Sequence, residues 1–381
     1  MSVHDPLLKN LDPSISDDDP RHPYYRIEET LYDHEIRWRD RAYFLEDRGY
    51  LLRPRLRPGW QPSWVGTNKS PFDVEDGIST PLRFPLIDAT RLSDGNMVYI
   101  KRVKTGDLES RIAIKLSTEA LRRDPRNHSV PIVDTFVDSE DSQISYIVMP
   151  FLKSIDDPEF EFIGEFLDFG EQILEGLTFL HDNGIAHRDA ASPNIMMDAS
   201  AMFPRGFHPI SQSFLADMSE VAPSYSRLSS GVKYYFVDYG ISSEFPLDSD
   251  PASRLVVGTL GRDQEPPELS HTVPYDPFKL DVFVIGNVFR REYYETAANL
   301  DFLRPFVLAM TNSDPNMRPP ARELLEQWRL MRRSYSAVSR HWRIKTRGES
   351  MLERVIWDGI NLVRLAVHFF KWLGGKSFPG A

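Results

Sequence analysis

The sequence predicts an α+β fold in which a strand-rich half precedes a helix-rich half. Short apolar runs bounded by turn residues fill residues 80 to 152, which is typical of strands. Apolar residues at steps of three and four dominate residues 153 to 330, which is typical of helices. Strands grouped before helices, rather than alternating with them, indicate an α+β architecture in two parts.

The composition indicates a globular protein of acidic character. Of the 381 residues, 41% are hydrophobic and 27% are charged, and the formal net charge is −11. These values are typical of a soluble chain with a sizeable core. The acidic balance argues against general nucleic-acid binding, because no large basic field is available to displace counterions. Since the chain contains no cysteine, disulfides, Cys-ligated zinc and thiol catalysis are excluded.

We expect an intracellular, cytoplasmic protein. The start of the chain, MSVHDPLLKNLDPSISDDDP, lacks the charged and hydrophobic regions of a secretory signal. Nowhere do eighteen uncharged apolar residues follow one another, so no transmembrane helix is predicted.

Residues 1 to 79 are predicted to form an N-terminal extension. It begins with a flexible, acidic lead over residues 1 to 24. Residues 27 to 49 favour one helix, which is expected to stop at Gly49.

The next part of the extension, LLRPRLRPGWQPSW, is rich in proline and tryptophan. We expect it to be largely extended, because each proline restricts the residue before it. Trp60 and Trp64 are expected to pack this stretch on a neighbouring domain, and binding of a proline-rich or sugar ligand is the alternative.

Four strand candidates follow the extension: FPLIDATRL, MVYIKRV, SVPIVDTFV and SYIVMPFL. The turn residues SDGN join the first two, and a charged helical stretch, GDLESRIAIKLSTEALRR, precedes the third. Three later stretches carry helical spacing: FIGEFLDFGEQILEGLTFLHDNG, KLDVFVIGNVFRREY and ARELLEQWRLMRR.

Polar residues interrupt the apolar elements at three points. Asp189 and Asn194 lie in HRDAASPN, between a long apolar helix and the run IMMD, and Asp238 follows the strand YYFV. Burying these groups among apolar elements would be costly without a ligand or partner. With Lys101 in an alternating strand, they provide the parts needed for phosphoryl transfer from a nucleotide.

In this order the motifs resemble those of the protein kinases. HRDAASPN is similar to the catalytic loop, Asp238-Tyr239-Gly240 to the metal-binding DFG, and VYIK to the strand with the phosphate-binding lysine. The resemblance covers about residues 80 to 330. It implies a bilobal protein-kinase-like fold, with a small β-rich N-lobe over about residues 80 to 152 and a larger helical C-lobe over about 153 to 330.

The resemblance also implies a role for each site residue. The expected catalytic residues are Asp189, Lys101 and Asn194, and the expected metal ligands are Asn194 and Asp238. The implied cofactors are ATP and Mg²⁺. The expected nucleotide-binding residues are Lys101, Glu109, Met149, Phe151 and Leu152.

Glu109, in ESRIAIKL, is the expected partner of Lys101. The apolar spacing after it fits the helix that carries this glutamate in kinases. Glu119 is the alternative, since it lies on the same candidate helix.

Three further motifs separate protein kinases from small-molecule kinases. Pro266-Pro267-Glu268 resembles the motif that closes the activation segment, Asp281 the aspartate that secures the catalytic loop, and Arg318 the arginine that pairs with Glu268. The flanking stretches GYLLRPRLRPGWQPSW and MFPRGFHP resemble those of fungal-type kinase-like proteins.

The sequence departs from the kinase pattern in three places. Kinases carry a glycine-rich loop, GxGxxG, over the phosphates, in the hairpin that precedes the lysine strand. The corresponding stretch here, STPLRFPLIDATRL, contains no glycine. Ala191 stands where serine/threonine kinases carry a lysine, and Pro193 stands where tyrosine kinases carry an arginine. Residues 199 to 232 form a long insertion, interpreted either as a docking loop or as a disordered segment.

The function predicted from these motifs is an ATP- and Mg²⁺-dependent protein kinase that phosphorylates a protein hydroxyl, on Ser or Thr rather than Tyr. The alternative is a pseudokinase that acts as a nucleotide-binding or signalling scaffold. The substrate protein is not identified by the sequence. A small-molecule kinase is disfavoured by the motifs at Glu268, Asp281 and Arg318.

The predicted activation segment runs from Asp238 to Glu268, and a phosphate in it is expected to pair with Arg188. The candidate phosphorylation sites are Ser242, Ser243, Ser249, Ser253 and Thr259.

Residues 331 to 381 are predicted to form a basic segment and an amphipathic helix over residues 351 to 373, with a narrow polar stripe. Docking of this helix on the kinase body or on another chain is the preferred interpretation. A membrane surface is the alternative.

Overall fold

The computed structural model describes residues 29–81 and 85–373, with side chains as far as residue 366. Helices and strands are both abundant, which confirms the predicted mixture of the two. The chain forms two units from interleaved segments. The first unit contains Met1–Thr105, Val133–Phe151 and Phe203–Ser224, and the second contains Gly106–Ile132, Leu152–Met202 and Tyr225–Ala381.

The first unit is built on an antiparallel five-stranded sheet in the order β1-β2-β3-β5-β4. Its strands are β1 (Tyr50–Leu51), β2 (Leu86–Arg91), β3 (Met97–Lys104), β4 (Asp134–Val137) and β5 (Ile144–Pro150). The four predicted strands are β2 to β5. The two-residue β1, which pairs with the end of β2, was not predicted.

Two short helices, α1 (Asp33–Arg39) and α2 (Ala42–Asp47), replace the single helix that was predicted before Gly49. The first two residues of that prediction lie outside the described part of the chain. Gly49 ends α2 with a φ of +89°, a conformation that glycine adopts at little cost. Both helices pack on the sheet, and their buried residues share one core with those of the strands, including Trp38, Leu45, Tyr50, Ile100 and Val148.

The prediction of a largely extended proline-rich stretch is wrong. Pro54–Leu56 forms a 3₁₀ helix, and turns follow it, because a buried ion pair folds the stretch back on α1. Arg55 Nε donates to Glu35 Oε1 at 2.9 Å, and both side chains are 0% exposed. The guanidinium of Arg55 lies 4.7 Å from the ring of Trp60, and the rings of Trp60 and Trp64 are 6.0 Å apart. The tryptophans therefore pack within the first unit.

The insertion is ordered, so the alternative of a disordered segment is wrong. Most of it, Phe203–Ser224, belongs to the first unit. His208 is fully buried, and the ring of Phe207 makes an edge contact with Phe151, with centroids 5.7 Å apart.

The second unit is mainly helical. Its helices are α3 (Leu108–Leu116), α4 (Glu119–Arg122), α5 (Ile163–Asp182), α6 (Arg227–Ser230), α7 (Pro277–Val288), α8 (Arg304–Met310), α9 (Ala321–Arg333), α10 (Ala337–Arg340) and α11 (Met351–Leu373). Its short strands are β6 (Lys153–Ser154), β7 (Ile185–Ala186), β8 (Ile195–Asp198), β9 (Lys233–Phe236), β10 (Ser243–Glu244), β11 (Val256–Gly258) and β12 (Ser270–Tyr275). They form a β6-β8-β9 sheet and the pairs β7-β10 and β11-β12.

Helix α5 is largely buried in the second unit. Gly170 allows α9 to approach closely, because a Cβ at this position would lie 2.1 Å from the indole of Trp328. The indole N–H of Trp328 donates to the Leu167 carbonyl at 3.0 Å. This close packing explains a glycine in mid-helix, where it costs about 1 kcal/mol relative to alanine.

The predicted C-terminal helix is present as α11, and its polar residues hold it to the second unit. Asp358 accepts from Arg343 and from Lys345, both at 2.7 Å, and Asn361 is buried. The exposed side chains are largely apolar: Met351, Leu352, Val355, Ile356, Trp357, Leu362 and Val363. Within the described residues, no helix has the length and apolar character needed to span a membrane.

Candidate functional site

The loop that contains Asp189 starts where α5 ends. Gly184 adopts a φ of +72°, and a Cβ there would lie 2.4 Å from the Phe245 carbonyl oxygen. Only glycine allows this turn together with the close approach of the neighbouring backbone. Strand β7 follows immediately and leads into HRDAASPN.

Asp281, on α7, holds the backbone of this loop in place through hydrogen bonds. Its carboxylate is fully buried and accepts the backbone N–H groups of His187 at 2.8 Å and of Arg188 at 2.6 Å. Arg188 has a φ of +67°, which is strained for a residue other than glycine. The two hydrogen bonds stabilise that strained backbone.

His187 is buried and neutral, and its side chain links the loop to the residue that follows β9. Burial lowers its pKa. Its Nε2 lies 3.0 Å from the Val237 carbonyl oxygen, and its Nδ1 lies 3.3 Å from the Asp189 backbone nitrogen. The tautomer with hydrogen on Nε2 satisfies both contacts, because Nδ1 then accepts from Asp189.

Asn194 clamps Asp189. The side-chain amide nitrogen of Asn194 donates to the backbone carbonyl of Asp189 and to its Oδ2, both at 2.8 Å. Since the amide hydrogens are used in this way, the Asn194 Oδ1 oxygen is the atom suited to a cation.

The pairing of β8 with β9 brings Asp238 to this loop. Ile195 is opposite Phe236, and the backbone N–H of Val237 donates to the Asn194 carbonyl at 3.0 Å. Asp238 comes next, with a φ of +64°. The second unit therefore brings Asp189, Asn194 and Asp238 together as neighbours.

Glu109 approaches the same turn from α3. A Cβ at Gly240 would lie 3.1 Å from Asp238 Oδ1 and 3.7 Å from Glu109 Oε2. Glu119, the alternative, lies instead on the separate helix α4 and forms an exposed ion pair with Arg123. Of the two glutamates, Glu109 has the position expected of a site residue.

The other predicted nucleotide-binding residues are divided between the units. Lys101, Met149 and Phe151 belong to the first unit, and Leu152 belongs to the second. On the sheet, Lys101 is opposite Leu86 and Ile147. Phe151 stacks on Tyr99 with ring centroids 4.3 Å apart. Tyr99 was not identified from the sequence, although it lies two residues before Lys101.

The stretch predicted as the phosphate-covering loop overlaps only the end of the connection between the first two strands. Because β1 pairs with β2, the connection between the first two strands is residues 52–85, not STPLRFPLIDATRL alone. It contains Gly59, Gly66 and Gly77, which are too far apart for GxGxxG. Leu82, Arg83 and Phe84 lie outside the described residues.

The guanidinium of Arg188 contacts residues of the predicted activation segment directly. It donates to the carbonyls of Ile241 and Val257, both at 3.2 Å, and lies 3.3 Å from Ser243 Oγ and 3.4 Å from the Tyr275 hydroxyl. Tyr275 was missed from the sequence, since nothing in its local pattern distinguishes it.

Among the candidate phosphorylation sites, Ser242 is 3% exposed, and its hydroxyl donates to the His187 carbonyl at 3.0 Å. This serine is therefore a structural contact in the conformation described.

The end of the segment is held by Glu268 and Arg318. Arg318 donates to both carboxylate oxygens of Glu268, at 2.5 Å and 2.9 Å. The Arg318 side chain is 0% exposed, so the pair is a bidentate, charge-assisted contact in the interior.

The candidate metal ligands at this site are the side-chain oxygen atoms of Asn194 and Asp238. Within the described part of the chain, no group of three or more His, Cys, Asp or Glu residues is arranged to hold a metal ion. The Asn194 amide oxygen and the Asp238 carboxylate are hard oxygen donors. Mg²⁺ is commonly held by one or two such groups together with water and phosphate oxygens, so the donor set fits it.

No family model matches the chain. It is 25% identical over 162 residues to the calcium/calmodulin-dependent protein kinase type 1 of Caenorhabditis elegans, covering 37% of this chain and 42% of that protein. It is 23% identical over 279 residues to the serine/threonine-protein kinase STK11 of Gallus gallus, covering 61% of this chain and 57% of that protein. The chain thus spans about half of the length of these curated relatives. By sequence, it is distantly similar to protein kinases.

Proposed function

We propose that this chain is a protein kinase that transfers the γ-phosphoryl group of ATP to a serine or threonine hydroxyl in the presence of Mg²⁺. The observation that carries the proposal is the arrangement of Asp189, clamped by Asn194 beside Asp238. The distant similarity to serine/threonine kinases supports the same chemistry.

Asp189 is the proposed proton acceptor. The substrate hydroxyl oxygen forms a bond with the γ-phosphorus atom as the bond to the bridging oxygen breaks. That oxygen keeps the electron pair and leaves with ADP, and the hydroxyl proton moves to Asp189. Positioning by Asn194 keeps the Asp189 carboxylate ready for this proton.

The remaining roles follow the kinase resemblance. Asn194 and Asp238 hold Mg²⁺, which supplies positive charge to the phosphate oxygens when it is bound. Lys101 contacts the α and β phosphates, and Glu109 is the proposed partner of Lys101. The adenine ring is proposed to contact Met149, Phe151 and Leu152.

We further propose that the kinase-like domain covers about residues 80–330, with a lobe boundary near residue 152, and that α1, α2 and β1 complete the core of its N-terminal part. We also propose a two-lobed arrangement, a relationship to fungal-type kinase-like proteins and a cytoplasmic location.

A pseudokinase is the second candidate. It is favoured by Ala191, which provides no cation, and by the lack of GxGxxG between β1 and β2. In this case the same residues bind a nucleotide without transferring phosphate.

The test is transfer of labelled phosphate from ATP to a general protein substrate and to the chain itself. We expect Mg²⁺-dependent transfer by the wild type and at least a 10²-fold loss in Asp189→Asn. Asp301→Asn, a change at an aspartate that is 77% exposed, is the matched control. Equal signals from the wild type and Asp189→Asn would contradict the kinase proposal and favour the pseudokinase, which binds a nucleotide without transferring phosphate.

A further inference from the structure

A loop of the activation segment lies directly on Asp189. The backbone N–H of Arg262 donates to Asp189 Oδ1 at 2.7 Å. The Arg262 guanidinium extends along the same carboxylate, with Nε 4.0 Å from Asp189 Oδ2. The Arg262 side chain is 59% exposed, whereas that of Asp189 is 16% exposed. A flexible cation therefore stands beside the proposed proton acceptor.

Gly261 makes this approach possible. Its φ is +126°, and a Cβ there would lie 3.1 Å from the Arg188 carbonyl oxygen and 3.6 Å from Asp189 Oδ1. Glycine alone accepts this backbone so close to the catalytic loop. The side-chain amide of Gln264 closes the turn by donating to the Gly261 carbonyl at 2.7 Å.

The residue after Arg262 anchors the loop in the second unit. The Asp263 side chain is 4% exposed and accepts from Asn287 at 2.6 Å and from Arg291 at 3.1 Å. The backbone of Arg262 is thus positioned by its neighbours, independently of its own side chain.

The guanidinium itself contributes little to folding. An exposed ion pair at this distance contributes little to the stability of a protein. Replacing the side chain should leave the backbone hydrogen bond and the anchor at Asp263 in place. A role in the fold therefore does not account for this arginine.

The predicted catalytic loop, by contrast, contains no cation between Asp189 and Asn194. Ala191 and Pro193 occupy the two positions at which the kinase pattern has a lysine or an arginine. Developing negative charge on a transferred phosphoryl group requires compensation. Among the residues that contact Asp189, Arg262 provides a positive charge from a different part of the chain.

We propose that Arg262 binds the γ-phosphate and stabilises the transferring phosphoryl group, in place of the missing lysine. This inference rests on the proposed kinase function. An arginine suits the role, because its planar fork of N–H groups matches phosphate oxygens and it remains charged at every relevant pH.

The first test measures binding rather than turnover. Dissociation constants for ADP and for a non-hydrolysable ATP analogue are measured with Mg²⁺ by calorimetry. We expect the wild type to prefer the triphosphate and Arg262→Ala to lose about tenfold or more of that preference, with ADP affinity unchanged. The matched control is Arg322→Ala, since Arg322 is an exposed arginine paired with Asp182 at 2.7 Å.

The second test measures transfer and its rescue. Arg262→Ala is expected to lower the rate by about 10² to 10³-fold. Adding Ala191→Lys to this variant is expected to restore part of the rate, because the lysine returns the charge by a different route. A purely structural role of Arg262 would not be rescued at residue 191.

The outcomes separate this inference from the kinase proposal. If Arg262→Ala keeps both the triphosphate preference and the rate, or transfers faster than the wild type, the inference is wrong while the kinase function stands. If the wild type neither transfers phosphate nor prefers the triphosphate, both are overturned. If the wild type prefers the triphosphate without transfer and Arg262→Ala loses the preference, the phosphate contact holds and the kinase function fails.

Discussion

The Asp281 carboxylate accepts the backbone N–H of Arg188 at 2.6 Å, across 93 positions of sequence. Arg188 needs this contact because its backbone lies in the left-handed region. The core of the helical unit thus sets the backbone geometry of the residue that precedes Asp189.

We predict that Asp281→Ala strongly destabilises the chain. The change leaves two buried N–H groups, those of His187 and Arg188, without an acceptor, and each costs about 1 to 3 kcal/mol. Urea unfolding should show a loss of about 3 to 5 kcal/mol, compared with less than about 0.5 kcal/mol for the exposed Asp301→Ala. Similar midpoints for the two variants would contradict the assigned role of Asp281.

Arg318→Lys is predicted to behave as a drastic change despite the conserved charge. Lysine cannot reproduce the two contacts to Glu268, nor the donation from Nε to the Asn312 carbonyl at 2.8 Å. We expect a cost of about 2 to 4 kcal/mol in denaturant unfolding. The exposed Arg322→Lys is the control, and an equal effect of both lysines would show that the fork geometry is unimportant.

The stability of the first unit should depend on pH through Glu75. Burial raises the pKa of Glu75 to about 7, with Asp76 and Asp88 acting in the same direction, and Arg53, 3.7 Å away, opposes this shift. His208, 3.9 Å from the Glu75 carboxylate, has a pKa lowered to about 4 and is neutral above that pH.

Because the folded pKa of Glu75 is above its ordinary value of 4.5, its stabilising contribution is complete below pH 4.5 and is lost as the pH rises to 7. The loss amounts to about 3 kcal/mol at most. Glu75→Gln should therefore equal the wild type near pH 4 and exceed it at pH 8, in thermal unfolding. A Glu75→Gln stability curve that runs parallel to that of the wild type across this pH range would refute the assignment.

Removing residues 1–79, at the boundary predicted from the sequence, should disrupt the first unit. The truncation deletes β1 and the buried Trp38, Leu45 and Leu56. Each large apolar side chain contributes about 1.5 to 3 kcal/mol on burial, so the sum is comparable with the whole stability of a domain. Removing only residues 1–28 retains every contact described. Cooperative unfolding of both truncated chains at the wild-type temperature would contradict this view.

The proximity of Asp189, Asn194 and Asp238 was easier to predict from the sequence than the structure around them. Asp189, Asn194 and Asp238 lie in short motifs whose order carries the information, and local pairing of β8 with β9 is enough to bring them together. Arg262 was not identified, because its contact with Asp189 depends on Gly261 and on an anchor at Asn287, which are distant or inconspicuous in the sequence.

In the first unit, the sequence patterns were not sufficient to predict every strand. Strand β1 has two residues, too few for a recognisable alternation. It pairs with β2, and the nearby stretch is folded by the buried ion pair between Glu35 and Arg55, which no local pattern in the sequence indicates. Because β1 was not recognised, the full length of the connection between β1 and β2 was not predicted either.

Helix α11 reverses the usual relation between polarity and burial, because Asp358 and Asn361 face the protein and Leu352 and Ile356 face outward. Attempts to improve the handling of this protein can use that arrangement. Substituting glutamine for the outward leucine and isoleucine should raise solubility without unfolding the tail, whereas making Asp358 and Asn361 hydrophobic should release the helix from the domain that carries it.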